Sequence, residues 1–322
     1  NVELGVDPAA KTVALRVAER QAPTFKELAE LFIERHAKAR KRPASVAGDI
    51  AKLKRDLLPA FGAHKADAIE RADVRALLQG IVDRGAPIQA NRTLALVRKI
   101  YNWGIGEDLV TRNPCDHLPA PAQEQRRDRV LSERELRALL AALPESRISR
   151  PVQLILLLQL LTAQRCGEVL RARWEQFDMA AGWWTIPSEI AKNRLSHRVP
   201  LSLQAVAVLA EARALSPSTE TVFSSPRGDK PMVITTVGLA VRRKAADFKG
   251  VGGFKPHDLR RTAASHLTGM GFSRLVVSKL LNHVESGVTA VYDRHSYDTE
   301  KREALAAWGA RVEELGVVVE SM

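Results

Sequence analysis

Residues 151–168 read PVQLILLLQLLTAQRCGE, the most apolar segment of the chain followed by a short polar one. The opening proline suits the first turn of a helix, and the leucine-rich run after it is apolar on every face, which predicts a helix buried in a core. The helix is expected to end near Arg165, with Glu168 three residues further on. The stretch therefore predicts a domain whose central helix ends in an arginine and a glutamate.

The same run is too short to cross a membrane. Residues 154–161 are interrupted by Gln159, and a bilayer span needs about 20 apolar residues. No basic amphipathic helix of sufficient length predicts binding to a membrane surface either. The 322 residues carry 49 Lys and Arg against 37 Asp and Glu, a net charge of +12. This excess favours a polyanionic partner, with nucleic acid ahead of an anionic membrane.

The positive charge is spread over two segments and is not gathered in one tail. Residues 24–127 carry 19 basic and 13 acidic side chains, a net +6, and residues 128–298 carry 24 and 16, a net +8. Pro114, Pro119 and Pro121 interrupt any helix between the two segments, which predicts a linker there. The expected segments are an N-terminal remnant (1–23), a helical domain (24–112), a linker (113–129), a second domain (130–298) and a C-terminal helical tail (299–322).

The segment before the linker shows helical patterns. Thr24 and Glu27 form a capping box ahead of an amphipathic stretch, and further helices are expected at about 44–58, 73–84 and 88–105. The first domain is thus predicted to be a bundle of about four helices.

The segment after the linker mixes helices with a little sheet. Ser132 and Glu135 repeat the capping box before a helix to about residue 143. Short strand-like runs at 183–186 and 198–201, separated by a polar stretch, predict a hairpin. The fold class is therefore mainly α: a two-domain clamp with a helical bundle and a mostly helical domain that contains a small antiparallel sheet.

Familiar cofactor and metal motifs are absent from the sequence. There is no phosphate-binding Gly-rich loop, no dinucleotide fingerprint and no zinc-binding His-Glu-x-x-His, and Cys115 and Cys166 lie 51 residues apart. We therefore expect no cofactor and no metal. Polar residues that stand out instead are Arg165, Glu168, Lys192, His257, Arg260, His283 and Tyr292. Taken singly, each fits a structural role better than a catalytic one.

Taken together and in order, their motifs resemble those of one family. Residues 162–168, TAQRCGE, are similar to a Thr-Gly-x-Arg-x-x-Glu motif, and residues 257–262, HDLRRT, match a His-x-x-Arg box. Lys192 and Asn193, followed by HRVPLS at 197–202, resemble a hairpin lysine segment, and LLNH at 280–283 with Tyr292 beyond it resembles a closing His and nucleophile motif. The chain thus resembles the tyrosine recombinase, or phage integrase, family, specifically its satellite-phage and genomic-island branch. Two departures are Ala163 and Asn282, where many members have Gly.

The resemblance implies site-specific recombination of DNA through a 3′-phosphotyrosyl intermediate. Tyrosine, with a pKa of about 10, is a weak nucleophile at neutral pH and needs a base or a cationic pocket. Two guanidiniums can bind the attacked phosphate by paired hydrogen bonds that Lys cannot reproduce. The implied roles are nucleophile for Tyr292, proton acceptor for His257, phosphate binding for Arg165, Arg260 and His283, general acid for Lys192, and orientation of Arg165 by Glu168.

The implied partner is double-stranded attachment-site DNA, gripped between the two domains. Four protomers are expected in the DNA synapse and a monomer when free, with an excisionase or a DNA-bending protein as accessory partners. The expected location is the bacterial cytoplasm, at the nucleoid. A small arm-type DNA-binding domain is expected upstream of residue 1, so the chain is interpreted as part of a longer integrase. Candidate DNA-contacting residues are Arg92, Lys99, Arg242 and Arg243.

Several alternatives remain at this stage. Tyr297 is a competing nucleophile, Cys166 is expected to be structural, and Arg261 faces either the DNA backbone or an acidic neighbour. The C-terminal tail packs either on its own domain or on a neighbouring protomer. The rival functions are a type IB topoisomerase-like strand transferase, which shares the chemistry, and a non-catalytic DNA-binding accessory protein.

Overall fold

The computed structural model describes residues 22–125, 127–216, 218–225, 228–283 and 295–316. The chain divides into two compact units between residues 126 and 127, and each unit has its own hydrophobic core. Within the described residues, no helix is long and apolar enough to cross a membrane.

Amphipathic helices build the first unit around a core that contains Phe25, Phe32 and Tyr101. Thr24 caps the first helix, because its hydroxyl accepts a hydrogen bond from the Glu27 amide and the Glu27 carboxylate accepts one from the Thr24 amide. The predicted helices of this unit are confirmed. They are α1 (Phe25–Leu31), which continues through a π-helical segment (Phe32–Ala37) into α2 (Lys38–Arg40), α3 (Pro43–Lys52), which continues through a second π-helical segment (Leu53–Leu57) into α4 (Leu58–Phe61), α5 (Arg71–Asp83) and α6 (Pro87–Gly106).

Much of the segment predicted to be a linker is bound to α6. Cys115 and Leu118 are buried in the first core. The Asn91 side-chain amide donates to the Ala122 carbonyl at 2.8 Å and accepts from the Ala122 N–H at 3.0 Å. The Arg98 guanidinium donates to the Leu118 carbonyl. These contacts make the chain up to Ala122 part of the first unit.

The second unit packs helices around the apolar helix of residues 150–162. Its helices are α7 (Glu133–Glu145), α8 (Arg150–Thr162), α9 (Cys166–Val169), α10 (Leu203–Leu215), α11 (Ile234–Arg243), α12 (Pro256–Gly269), α13 (Arg274–Leu280) and α14 (Asp298–Gly316). Its strands are β1 (Phe177–Asp178), β2 (Trp183–Ile186), β3 (His197–Pro200), β4 (Ser224–Ser225) and β5 (Gly228–Pro231).

The predicted hairpin is present as β2 and β3. The two strands pair antiparallel, with Trp183 opposite Pro200 and Ile186 opposite His197, and β1 adds a third strand beside β2. Strand β3 begins one residue earlier than predicted, since His197 pairs with Ile186. The prediction missed β1 and β4, because two residues are too few to show alternation, and it missed β5, because its sequence, GDKP, has no strand-like apolar pattern.

The central helix ends earlier than the sequence suggests. Helix α8 stops at Thr162, because Ala163 adopts a left-handed conformation with φ of 54°. The predicted end near Arg165 is therefore about three residues late, and Arg165 instead caps the next helix, α9. A leucine run predicts that a helix is buried but not where it stops.

The described part of the C-terminal tail packs on its own unit. Helix α14 buries Leu305, Trp308 and Val312 in the second core, and the Trp308 indole N–H donates to the Leu160 carbonyl at 2.8 Å. Gly309 allows a close approach, since a Cβ there would lie 2.6 Å from the Ser202 hydroxyl oxygen. In this single chain the described part of the tail therefore packs on its own domain, which is the first of the two alternatives considered.

Candidate active site

Arg165 and Glu168 form the first part of the site, at the start of α9. The Glu168 carboxylate accepts the Arg165 backbone N–H at 3.1 Å and its guanidinium Nη1 at 3.0 Å. The Glu168 side chain is 3% exposed, whereas that of Arg165 is 20% exposed. Glu168 therefore fixes the guanidinium while leaving part of it accessible, as its predicted orienting role requires.

Helix α12 brings Arg260 to the same place. Its guanidinium is buried, with Nη1 donating to the Ala163 carbonyl at 2.9 Å and Nη2 donating to the Leu281 carbonyl. The left-handed turn at Ala163 thus supplies an acceptor for Arg260. Burial lowers the pKa of Arg260, and the nearby positive charge of Arg165 lowers that pKa further. The two predicted phosphate-binding arginines are therefore neighbours.

Two histidines lie beside these arginines. Nε2 of His283 is 3.5 Å from Nη2 of Arg260. His257 lies at the start of α12 and is exposed. The surrounding chain still desolvates its ring in part, and this desolvation lowers the pKa of His257. Desolvation likewise lowers the pKa of His283, and Arg260 and Arg165 lower it further. Both imidazoles consequently favour the neutral form at neutral pH.

Lys192 reaches the site through the turn between β2 and β3. Its side chain is exposed, and its backbone N–H donates to the Glu168 carboxylate at 3.3 Å. Glu168 therefore contacts both the first arginine and the lysine turn, which the i, i+3 spacing from Arg165 did not predict.

Side chains outside the predicted set hold the loop that leads to His283. Nε2 of buried His197 donates to the Leu280 carbonyl at 2.9 Å, and Nε2 of buried Gln164 donates to the same carbonyl at 3.0 Å. Asn193 bonds to Asn282. The available signal was the polar character of Gln164 and His197, which lie next to apolar core segments.

Asp258 is a further residue that the sequence analysis missed. In sequence it lies between His257 and Arg260. Its side chain is fully buried and forms ion pairs with Arg127 and Arg261. Burial alone would raise the pKa of Asp258, but the hydrogen bond from Arg127 and the Lys255 backbone N–H outweigh it, so that the pKa is lowered. Of the two alternatives for Arg261, the structure shows the acidic neighbour.

The remaining predicted residues are placed as follows. Tyr292 lies outside the described residues. The Tyr297 ring contacts His295 and lies 5.3 Å from the Lys279 ammonium. Cys166 is buried, which raises the pKa of its thiol to about 12 and leaves it protonated.

The four candidate DNA-contacting residues are exposed and lie on two helices. On α6, Lys99 is exposed, and Arg92 forms an ion pair with Glu124 at 2.9 Å. On α11, Arg242 and Arg243 occupy the last turn, and Arg242 borders a cavity of about 790 Å³ whose lining is mainly apolar.

Among the residues described, no three His, Cys, Asp or Glu side chains are grouped so that they could bind a metal.

Comparison with known families decides the classification. The model of the phage integrase family matches residues 129–299, and that of the phage integrase central domain matches residues 25–120. The chain belongs to the phage integrase family. The resemblance found in its motifs is thereby confirmed.

Curated relatives of this phage integrase family chain are integrases. Prophage integrase IntA of Escherichia coli K12 is 28% identical over 261 residues, which are 80% of this chain and 62% of IntA. Prophage integrase IntZ of the same strain is 29% identical over 266 residues, 82% of this chain and 65% of IntZ. The integrase of Enterobacteria phage P4 is 26% identical over 325 residues, 95% of this chain and 73% of that protein. The chain thus spans less than two thirds of IntA and IntZ.

Solved structures show the same fold. A lambda integrase dimer bound to a COC′ core site matches with a TM-score of 0.68 at 20% identity, over 92% of this chain and 85% of that chain. A lambda integrase tetramer bound to a Holliday junction matches with a TM-score of 0.67 at 20% identity, over 89% of this chain and 81% of that one. The mainly α fold with a small antiparallel sheet, predicted for this phage integrase family member, is confirmed.

Proposed function

We propose that this chain is a site-specific DNA recombinase that cleaves and rejoins DNA strands through a 3′-phosphotyrosyl bond to Tyr292. One observation carries the proposal: buried Arg260 lies beside Arg165, and within the described part of the chain no carboxylate forms an ion pair with Arg260. Glu168 balances only one of these two guanidiniums, so the group keeps an excess positive charge that an entering anion would neutralise. A phosphodiester supplies both the charge and oxygen acceptors for two guanidiniums.

The proposed reaction exchanges one phosphate ester for another. The Tyr292 oxygen attacks the phosphorus, the bond from phosphorus to the 5′ oxygen breaks, and the DNA 3′ phosphate remains on the tyrosine. Charge that develops on the non-bridging oxygens is stabilised by Arg165, Arg260 and His283. Rejoining reverses the step with a 5′ hydroxyl from another strand, so the energy of the ester is retained without ATP.

Two proton transfers accompany the exchange. His257 accepts the proton of Tyr292, and its lowered pKa keeps the imidazole neutral and ready to do so. Lys192 donates a proton to the departing 5′ oxygen from its exposed turn, whose backbone is bound to Glu168.

The proposed partner is duplex attachment-site DNA. The lambda integrase of similar fold has been solved as a dimer on a core site and as a tetramer on a Holliday junction. By analogy we propose that four copies of this chain act on two DNA sites in the bacterial cytoplasm, with an excisionase or a DNA-bending protein assisting.

Covalent trapping tests the nucleophile. The probe is a nicked duplex that spans a junction between the mobile element and its host DNA, so that the cleaved end diffuses away. The chain is expected to form a covalent adduct on denaturing gels, Tyr292→Phe to form none, and the control Tyr297→Phe to form it normally. An adduct with Tyr292→Phe would show that another residue attacks.

Leaving-group chemistry tests the general acid. A 5′-bridging phosphorothiolate leaves without a proton donor, so Lys192→Ala should be slow on the ordinary duplex and close to normal on the phosphorothiolate. Equal loss on both substrates would remove Lys192 from this role.

A further inference from the structure

Two asparagines join the lysine turn to the histidine loop. The Asn193 amide nitrogen donates to the Asn282 carbonyl at 3.0 Å and to the Asn282 side-chain oxygen at 2.9 Å. In return, the Asn282 amide nitrogen donates to the Asn193 side-chain oxygen at 3.2 Å and to the Leu195 carbonyl at 3.3 Å. The pair is therefore reciprocal, with each side chain acting as donor and acceptor to the other.

The pair lies between two of the proposed catalytic residues. Asn193 follows Lys192, and Asn282 precedes His283. The residue before Asn282, Leu281, offers its carbonyl to Arg260. The pair thus connects the turn that presents the proposed proton donor to the loop that lines the proposed phosphate site.

The side chain of Asn282 is not needed to satisfy its own backbone. Asn282 has a φ of 50°, in the left-handed region, which Gly adopts more readily than Asn. Its backbone N–H already donates to the Lys279 carbonyl at 3.0 Å. A glycine would preserve the turn, so the asparagine amide contributes the contact to the lysine turn and little else.

Resting on the proposed function, we propose that Asn193 and Asn282 are positioning residues, which hold the Lys192 turn against the His283 loop so that the lysine ammonium reaches the leaving 5′ oxygen. An exposed lysine has many rotamers. Other attachments of its turn, the Lys192 N–H to Glu168, the Arg171 guanidinium to the Ile190 carbonyl and the burial of Ala191, lie at or before Lys192 in sequence. The asparagine pair joins the part of the turn after Lys192 to the His283 loop. Each hydrogen bond in the pair is individually weak, so its loss would shift the position of the turn without unfolding the unit.

The experiment compares two substrates in single-turnover cleavage. Asn282→Gly and Asn193→Ala should each slow cleavage of the ordinary nicked duplex by about 10- to 100-fold, the range expected when a reacting group is displaced by about 1 Å. On the 5′-bridging phosphorothiolate duplex, which needs no proton donor, both variants should cleave at close to the normal rate. The double variant should slow cleavage by less than the product of the two single effects, because each single variant already removes both hydrogen bonds between the two side chains.

Two further variants control for general damage. Asn282→Asp keeps a residue that tolerates the left-handed backbone and keeps the oxygens that accept from Asn193, but it removes the amide donor to Asn193 and Leu195. It should show the same substrate selectivity with a smaller loss of rate than Asn282→Gly. Ser196→Ala removes a hydrogen bond from the hairpin to Ile186 and does not touch Asn282. It should show no selectivity.

The outcomes separate this proposal from the proposed function. Equal slowing on both substrates, or normal rates on both, would overturn the positioning role while leaving the recombinase proposal intact. A normal adduct together with no phosphorothiolate rescue of Lys192→Ala would overturn the general-acid role and the positioning role with it. Absence of any covalent adduct from the unmodified chain would overturn the proposed function itself.

Discussion

Ala163 occupies a backbone conformation that glycine adopts at no steric disadvantage. Its φ of 54° terminates α8, and its methyl group is fully buried. The left-handed conformation destabilises a non-glycine residue by roughly 1–2 kcal/mol. In Ala163→Gly, relief of this strain should offset the lost methyl contacts and the added chain entropy. We expect the free energy of unfolding, measured by chemical denaturation, to change by less than about 1 kcal/mol.

The matched control is Ala263→Gly. Ala263 is equally buried but lies within α12, where glycine is unfavourable by about 1 kcal/mol even before its methyl contacts are lost. This variant should therefore be at least about 1 kcal/mol less stable than Ala163→Gly. Equal destabilisation by the two changes would mean that the turn at Ala163 carries no strain.

His197 makes stability depend on pH. Burial, with a smaller contribution from the positive charge of Lys301, lowers the pKa of His197 to about 4. The unfolded chain then binds a proton near pH 6.5 that the folded chain does not bind, so the contribution of His197 to stability is lost as the pH falls from about 6.5 to 4. The loss should be roughly 3 kcal/mol, because each pKa unit corresponds to about 1.4 kcal/mol.

His197→Gln tests this dependence. Glutamine can still donate to the Leu280 carbonyl but does not titrate. Denaturation measured from pH 7 to 4 should show a shallower loss of stability for this variant than for the unmodified chain. Identical curves for His197→Gln and the unmodified chain would contradict the buried neutral imidazole.

At the scale of elements, α14 is an integral part of the second core. Trp308 is fully buried and its indole is hydrogen-bonded to α8. Trp308→Ala should therefore destabilise the second unit by about 3–5 kcal/mol. The control Arg311→Ala removes only partly exposed ion pairs to Glu133 and Glu314 and should change stability by less than about 1 kcal/mol.

Protein concentration distinguishes the two places where α14 could pack. Because the helix packs on its own chain, the loss in Trp308→Ala should be the same at micromolar and at tenfold higher concentration. A loss that depends on concentration would mean that the helix is exchanged between protomers in solution.

Periodicity made the larger elements predictable and left the smaller ones out. The capping box at Thr24 and the apolar spacing behind it indicate a helix because both are local properties of the chain. The end of α8 depends on the left-handed turn at Ala163, and no local pattern marks that turn. Contacts such as those of Asp258 with Arg127 join residues far apart in sequence, so the residue types alone could not pair them.

The candidate site shows the same division. Motif resemblance identified Arg165, Glu168 and Arg260, and the structure brings these three together. The motif resemblance could not identify the asparagine pair, because the sequence does not distinguish an asparagine that contacts the opposite loop from one that faces solvent. Residues that touch the phosphate follow from chemistry, whereas residues that position them follow from the three-dimensional arrangement.

At the scale of the whole molecule, the net charge of +12 predicts a steep dependence of DNA binding on salt. Each phosphate contact by Lys or Arg contributes about −0.9 to the slope of log K against log salt concentration. If both units grip the duplex, basic residues on each of them should contribute to this slope. Lys99→Ala, in the first unit, should therefore reduce its magnitude by about 0.9, and the double change Arg242→Ala with Arg243→Ala, in the second unit, by up to about 1.8.

Charge location, and not total charge, is what this titration measures. Arg311→Ala removes the same charge as Lys99→Ala, but Arg311 is already paired with Glu133 and Glu314 on the C-terminal helix. Its slope should match that of the unmodified chain, in duplex binding followed by fluorescence anisotropy over a range of salt concentrations. If the changes in only one unit reduced the slope, the other unit would not contact the duplex. The predicted two-domain clamp would then be wrong, although the chain would still bind DNA.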